Sequence, residues 1–229
     1  EVIEEAVEIY RALAAELPDP FRPDLAMSLN NLSIGVGTLG RHEEALAAIK
    51  EAVEIYRALV TERPDAFRPD LAKSLSNLSG RLSELKHHEG ALAANEEALE
   101  IQRALAAERP DVFRPQLATS LHNLSNSLSA LGRYEKALTT NEEALEIRHA
   151  LAAEYPDAFQ PDLASTLNNL SVRLNDLGRH EEALAASEEA LEIRRALAAE
   201  RPDAFRPDLA STLGNLSVRL NDLGRHEEA

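Results

Sequence analysis

An asparagine that recurs at a fixed spacing is the side chain in this sequence best suited to recognition chemistry. It occupies the same place in five successive segments, as Asn31, Asn77, Asn123, Asn169 and Asn215. An amide side chain offers both a hydrogen-bond donor and an acceptor. The column can therefore bond either a partner or a neighbouring helix of its own stack, and both interpretations stay open at this point.

The sequence offers no comparable candidate for a catalytic or metal-binding residue. The chain has no cysteine, which excludes disulfides, thiol nucleophiles and thiolate metal sites. His42 precedes two glutamates, but residue 46 is leucine, so no HExxH zinc motif forms. The nine glycines are scattered and build no phosphate-binding loop. We therefore predict a chain that is not an enzyme and holds no cofactor or metal, with its histidines used for packing.

The elements that position the asparagines follow from an internal repeat of 46 residues. A proline marks each copy, at Pro23, Pro69, Pro115, Pro161 and Pro207. The segment STLNNLSVRLNDLGRHEEA at 165–183 recurs at 211–229 with one change, from Asn168 to Gly214. Self-similarity at a period between 20 and 50 residues is typical of solenoids built from stacked units.

Each repeat is predicted to contain two helices, as its fourth copy shows. Pro161 suits the first turn of a helix, because an amide there has no intrahelical partner. A leucine stripe at helical spacing follows, at Leu163, Leu167, Leu170, Leu174 and Leu177. Gly178 predicts a left-handed stop, and a second helix runs from near Arg179 to Pro202. The segment PDAFRPD after it is predicted to be a loop, with Phe205 as a plug under the helix ends.

Residues 167–193 resemble a tetratricopeptide repeat. Leu170 and Ser171 match the Leu-plus-small pair of the family's first helix, and Ala183 and Ala190 match the small pair of its second helix. Small residues at these places let two helices approach to about 8–10 Å. The family unit is about 34 residues long. The longer form is similar to the repeats of kinesin light chains and to the C-terminal arrays of STAND-type NTPases.

The extra residues are expected to lengthen the second helix and to add the Phe–Pro loop. The sequence also departs from the pattern at Lys86, which replaces the glycine stop. Keeping a left-handed conformation there should cost about 1 kcal/mol.

The resemblance implies an all-α, right-handed α-solenoid, a superhelix of about ten helices in stacked antiparallel pairs. We expect residues 1–229 to form one solenoid segment, beginning with part of a second helix and ending five residues into another. Its complete repeats are 23–68, 69–114, 115–160 and 161–206, and 1–22 and 207–229 are partial repeats.

In this family the first helices line a concave surface, so the resemblance implies that the asparagine column bonds the backbone of an extended peptide. Other residues predicted on that surface vary between repeats, which is typical of a partner-specific face but also of neutral drift. They are Asn30, Lys73, Arg81, His122, Asn168, Arg173 and Arg219. The three arginines would favour an acidic peptide if they reach the groove.

The function predicted is a non-catalytic scaffold that binds a peptide or protein on its concave face, as part of a larger protein. The first alternative is self-assembly, because ends cut within a repeat expose complementary helix faces that stack head to tail. The second is an RNA-binding helical repeat, which needs a basic face. A net charge of −16 disfavours both nucleic-acid and membrane-surface partners. We also expect a cytoplasmic location, since the sequence shows neither a signal peptide nor a membrane span.

Overall fold

The structure is a computed structural model that describes residues 2–228, and within that range it contains ten α-helices and no strand. In chain order they are α1 (Val2–Glu16), α2 (Pro18–Thr38), α3 (His42–Glu62), α4 (Pro64–Glu84), α5 (His88–Glu108), α6 (Pro110–Ala130), α7 (Tyr134–Glu154), α8 (Pro156–Asp176), α9 (His180–Glu200) and α10 (Pro202–Asp222). The even-numbered helices are the first helices of the repeats and the odd-numbered ones are the second helices. None of the described helices is long and apolar enough to cross a membrane.

The first helices begin five residues earlier than the sequence indicated, so the prediction of a Phe–Pro loop was wrong. Helix α8 begins at Pro156, and Pro161 lies in its interior at the sixth position. Pro156 takes the N1 place that had been assigned to Pro161, where its missing N–H costs nothing. Pro161 removes one backbone hydrogen bond without ending the helix. The residues beyond the usual family length therefore extend both helices of a repeat.

The phenylalanine of each repeat packs at the start of a first helix, from within the helix. In α4 the guanidinium of Arg63, the N-cap residue, lies 4.9 Å from the ring centroid of Phe67. Phe67 also packs against a core cluster that contains Tyr56, and the two ring centroids are 6.4 Å apart. The expected plug is thus present, but it is part of a helix and not of a loop.

The first helices end in a left-handed residue, as the sequence predicted. The glycines at 40, 132, 178 and 224 have φ between +70° and +77°, and Lys86 keeps the same conformation with φ of 61°. At the end of α8 the Arg179 amide donates to the Leu174 carbonyl at 2.9 Å, and the Gly178 amide donates to the Asn175 carbonyl at 2.9 Å. These bonds satisfy carbonyls that a helix end would otherwise leave open.

The chain divides into two compact units, one of residues up to Phe113 and one from Arg114 onward, with the boundary inside α6. Within the first unit, each of α1 to α4 packs against the next helix, so that the series ends with α5. Within the second unit, α7 to α10 pack in the same way, and Ser125 of α6 donates to the Ala137 carbonyl of α7 at 2.8 Å. The expectation of one solenoid segment over residues 1–229 stays a prediction.

Small residues occupy the helix crossings, as the repeat pattern predicted. In the fourth repeat Ala183, Ala190 and Ser171 are buried, and Ser187 donates to the Ser171 hydroxyl at 2.7 Å. A larger side chain at such a crossing would hold the two helices apart.

The first helices approach each other more closely than the second helices do. Helix α2 contacts α4 in the first unit, and α8 contacts α10 in the second. Successive second helices are instead linked by long side chains, such as Arg57 of α3 and Glu97 of α5, whose Nη2 and Oε2 atoms are 2.5 Å apart. The closer approach of the first helices indicates that each unit curves towards them.

Candidate interaction face

The recurring asparagines lie on the first helices, where the structure shows two of them bonded within the stack. The Asn77 amide of α4 donates to the Asn30 side chain of α2 at 3.0 Å. The Asn169 amide of α8 donates to the His122 Nε2 atom of α6 at 3.0 Å and reaches the Asn126 side-chain oxygen at 3.3 Å. For Asn77 and Asn169 these bonds favour the interpretation in which the column connects successive repeats.

The other members of the column differ in exposure. Asn31 is exposed, whereas Asn123 and Asn215 are half-buried. Asn168, beside the column, donates to the Thr212 hydroxyl of α10 at 2.8 Å, while its own side-chain oxygen has no hydrogen-bond partner. The column is therefore not a uniform row of free amides, and its use by a peptide stays a prediction.

The arginines predicted on the concave surface are held by the first helices themselves. Arg173 is buried, bonds the Ser129 hydroxyl, donates to the Asn126 oxygen at 3.2 Å, and pairs with Asp176. Arg219 is also buried and donates from Nε to the Ser171 hydroxyl at 3.2 Å.

Arg81 is half-buried and lies across Gly37 of α2. A Cβ at residue 37 would be only 1.9 Å from the Arg81 Nη1 atom. The burial of Arg173 and Arg219 removes the basis for expecting an acidic peptide.

Two arginines that the sequence reasoning missed lie beneath the first helices of the second unit. Arg148 of α7 donates to the Thr119 hydroxyl of α6 at 2.8 Å and pairs with Asp162 of α8. Arg194 of α9 donates to the Ser165 hydroxyl of α8 at 2.6 Å. The signal was available for Arg194, because it follows Ala190 of the small pair by four residues and therefore lies on the same side of the second helix.

His122 lies near Arg148 and Arg173, and its surroundings favour the neutral imidazole over the protonated one. Burial lowers the pKa of His122, and the positive charges of Arg148 and Arg173 lower it further, against an opposing effect of Asp162. The neutral imidazole has one ring nitrogen that can accept a hydrogen bond, and Asn169 donates to the ring. His122 therefore acts in this structure as a neutral connector between α6 and α8.

The first helices of the first unit carry exposed apolar side chains and an exposed lysine. Lys73 of α4 is exposed, and Met27 and Ile34 of α2 are exposed apolar residues seven positions apart on one side of their helix. Asn30, between them, is buried. In the part of the chain that the structure describes, no group of three histidine, aspartate or glutamate side chains could hold a metal ion.

The fold and this face define a class of protein, an array of helix pairs whose first helices lie side by side. Comparison with protein families gives that class a name. The family profile described as tetratricopeptide repeat matches residues 25–65, 71–111, 117–152 and 163–203. The chain therefore belongs to the tetratricopeptide repeat family, whose members typically act as scaffolds for protein interactions.

Several solved structures share the fold. BtubC (BKLC) from P. vanneervenii is 24% identical with a TM-score of 0.77, over 100% of this chain and 84% of that chain. A putative kinesin light chain from Podosopora anserina, with nearly identical TPR-like repeats, is 18% identical with a TM-score of 0.67, over 90% of each chain.

The apo form of RapI is 19% identical with a TM-score of 0.67, over 96% of this chain and 77% of that chain. No curated protein matches the chain significantly by sequence. These similarities bear out the predicted solenoid class and its likeness to kinesin light chain repeats.

Proposed function

We propose that the chain is a non-catalytic scaffold that binds a peptide or protein partner on the face formed by its first helices. The observation that carries the proposal is the contact between successive first helices, α2 with α4 and α8 with α10. Such contacts create a continuous strip of side chains within each unit, and side chains of this strip differ between the repeats. The position of Asn168 holds, in chain order, Asn30, Ser76, His122, Asn168 and Gly214.

A partner surface of this kind differs from the outer surface of the second helices, which is dominated by glutamate and by ion pairs between repeats. Arg11 pairs with Glu51 at 2.7 Å and Arg57 with Glu97 at 2.5 Å on that outer side. Exposed ion pairs of this type contribute about 0–1 kcal/mol each. These outer ion pairs connect successive second helices, whereas the first-helix side chains that vary between repeats serve recognition.

Selection from a random twelve-residue peptide library on phage tests this proposal, followed by titration of a synthetic copy of an enriched peptide. Two lysines make a matched pair, because Lys73 is exposed on first helix α4 and Lys50 is exposed on second helix α3. We expect Lys73→Trp to weaken the binding of peptides that contact the first unit, and Lys50→Trp to leave every peptide unaffected. If no peptide is enriched, or if all enriched peptides respond to Lys50→Trp alone, the proposal is wrong.

Head-to-tail self-association is the second candidate, and the exposure of α10 favours it. Leu167 and Ala164 of α8 are buried, whereas the equivalent Leu213 and Ala210 of α10 are exposed. A helix of a second copy could cover this apolar strip, as second helices cover the equivalent strips elsewhere. Sedimentation velocity at two concentrations tests the idea: Leu213→Lys should abolish any concentration-dependent species, and a monomer at both concentrations counts against it.

A further inference from the structure

Helix α1 repeats part of the sequence of α3 but is less covered. Residues 5–13 and 51–59 are identical, both reading EAVEIYRAL. Helix α3 packs against a first helix on each side, α2 and α4, whereas α1 packs against α2. Leu59 is accordingly fully buried and its counterpart Leu13 is half-buried, while Ile9 is 53% exposed. The side of α1 that corresponds to the α2-facing side of α3 is therefore open to solvent.

Helix α10 is uncovered in the complementary way. It differs from α8 at two of 21 positions, yet α8 packs against second helices α7 and α9, whereas α10 packs against α9. Leu167 of α8 lies in an apolar cluster with Ala190 and Ile193 of α9. Its counterpart Leu213 is 42% exposed. Within residues 2–228, no second helix completes the equivalent cluster on α10.

Helix α1 has the residues that such a cluster needs. Its Ala6 and Ile9 occupy the repeat positions of the two α9 residues in the α8 cluster. Ala6 is half-buried, although the alanine at the same position of α9 is fully buried. A second copy that placed its α1 on α10, as α9 lies on α8, would cover Leu213 with Ala6 and Ile9. The apolar area removed from water favours this contact.

An ion pair between successive second helices gives the contact a charge code. Arg11 pairs with Glu51 at 2.7 Å, forty residues further along the chain. Arg195 of α9 is the next member of this arginine series, and the residue that its partner would match in α1 is Glu5. Both are exposed, and neither has an ion-pair partner within residues 2–228. The equivalent pairs of other repeats are Arg57 with Glu97 and His149 with Glu189.

A second ion pair joins each first helix to the end of the following second helix. Arg22 of α2 pairs with Glu62 of α3 at 2.8 Å. Arg206 is the equivalent residue of α10, and Glu16 is the equivalent residue of α1. These two are also exposed and unpaired among the described residues. The equivalent pairs of other repeats are Arg68 with Glu108 and Arg114 with Glu154.

We propose that α1 of one copy binds α10 of a second copy in the register of the repeat, with Glu5 and Glu16 paired to Arg195 and Arg206 of that second copy. The inference rests on self-association, the second candidate function, and assigns its helices, its register and its ion pairs. Each copy has both surfaces, so the contact is heterologous and repeats from copy to copy.

Charge reversal of each surface separately provides the test, with association measured by sedimentation velocity over a range of concentrations. One variant has Arg195→Glu with Arg206→Glu, and the other has Glu5→Arg with Glu16→Arg. Each variant alone brings like charges together at both ion-pair positions, so each should associate about tenfold more weakly than the unmodified chain. Because all four side chains are exposed and unpaired within their own copy, circular dichroism should show unchanged helix content in both variants.

An equimolar mixture of the two variants restores opposite charges at every contact between unlike copies. The new glutamates of the first variant meet the new arginines of the second, and the other contact keeps its original charges. The mixture should therefore associate within about twofold of the unmodified chain. This recovery also shows that both variants are folded. A mixture that associates no more strongly than either variant alone would overturn the inference.

The matched control is Glu100→Arg with Glu146→Arg, which changes the net charge by the same amount as the α1 variant. Both glutamates are exposed, on second helices α5 and α7, and this control should alter association by less than about twofold. Weakening by the control equal to that by the α1 variant would show an effect of net charge and overturn the inference.

The outcomes also separate the inference from the functions on which it builds. Association that neither charge reversal weakens would overturn this contact while leaving self-association intact. A monomer at every concentration would overturn both the contact and self-association, and it would leave the binding of peptides by the first helices unaffected.

Discussion

Two leucines at equivalent positions allow the stacking of helix pairs to be tested with a single type of substitution. Leu167 of α8 is 1% exposed and Leu213 of α10 is 42% exposed. The helices around them have closely similar sequences. The side chains differ mainly in whether a neighbouring repeat covers them.

The expected cost of truncation follows from these exposures. Leu167→Ala removes fully buried methyl groups and leaves a cavity among Ala152, Leu163 and Ala190, which typically costs about 2–5 kcal/mol. Leu213→Ala removes atoms that are already partly in water and encloses no cavity, so about 1 kcal/mol is expected from the transfer term alone. The difference between the two variants should be roughly 2 kcal/mol.

Urea unfolding followed by circular dichroism at 222 nm measures both losses, and hydrogen exchange of α8 and α10 shows where the structure opens. Exchange is needed because repeat arrays can lose two-state behaviour and fray from their ends. Similar losses for the two variants would refute the arrangement in which α8 is covered on both sides and α10 is not. A larger loss for Leu213→Ala would refute it as well.

Three further predictions concern single residues. Lys86→Gly should stabilise the protein by roughly 0.5–1 kcal/mol, because removal of left-handed strain is partly offset by the entropy of an unfolded glycine; in chemical denaturation, Gly178→Lys should show the opposite sign. Asn141 is fully buried, and neither of its side-chain polar atoms has a hydrogen-bond partner. Asn141→Ile copies Ile49 of an earlier repeat, and it should raise the unfolding free energy by about 1 kcal/mol. A lower unfolding free energy would show that the isoleucine side chain does not fit. The pKa of His122 is lowered in the folded state from its ordinary value of 6.5. Below that pH the unfolded chain therefore binds more protons, and stability falls as the pH drops. His122→Gln should lessen this fall in thermal melts between pH 7 and pH 5, and an unchanged pH profile would contradict a lowered pKa for His122.

Most of the fold could be predicted from the repeat period, because each helix pair has the same local signals at the same spacing. Gly178 and Lys86 marked helix ends correctly, since a left-handed stop is a local property of the chain. Pro161 led to a wrong prediction of where α8 begins, because proline is tolerated both at N1 and, at a cost in stability, further inside a helix. Pro156, five residues earlier, satisfied the same rule and was the better choice.

The character of the interaction face was less accessible to sequence reasoning. Arg173 and Arg219 have a helical phase compatible with a groove, but whether a long side chain points into solvent or across to the next helix depends on interhelical distances. Arg194 lies on an apolar stripe, and only the position of Asp208 on the following helix explains why a cation is retained there. The sequence therefore placed Arg173 and Arg219 on the first helices α8 and α10, but it did not show that both side chains are buried.

Site-specific photo-crosslinking tests the central claim, that the first helices form the recognition surface, most directly. A benzoylphenylalanine at residue 175 of α8 and one at residue 188 of α9 compare the first-helix face with the outer side of the neighbouring second helix. The probe is a peptide enriched from the library that binds the second unit. The account predicts crosslinks from residue 175 and none from residue 188. Crosslinks from residue 188 alone would contradict it.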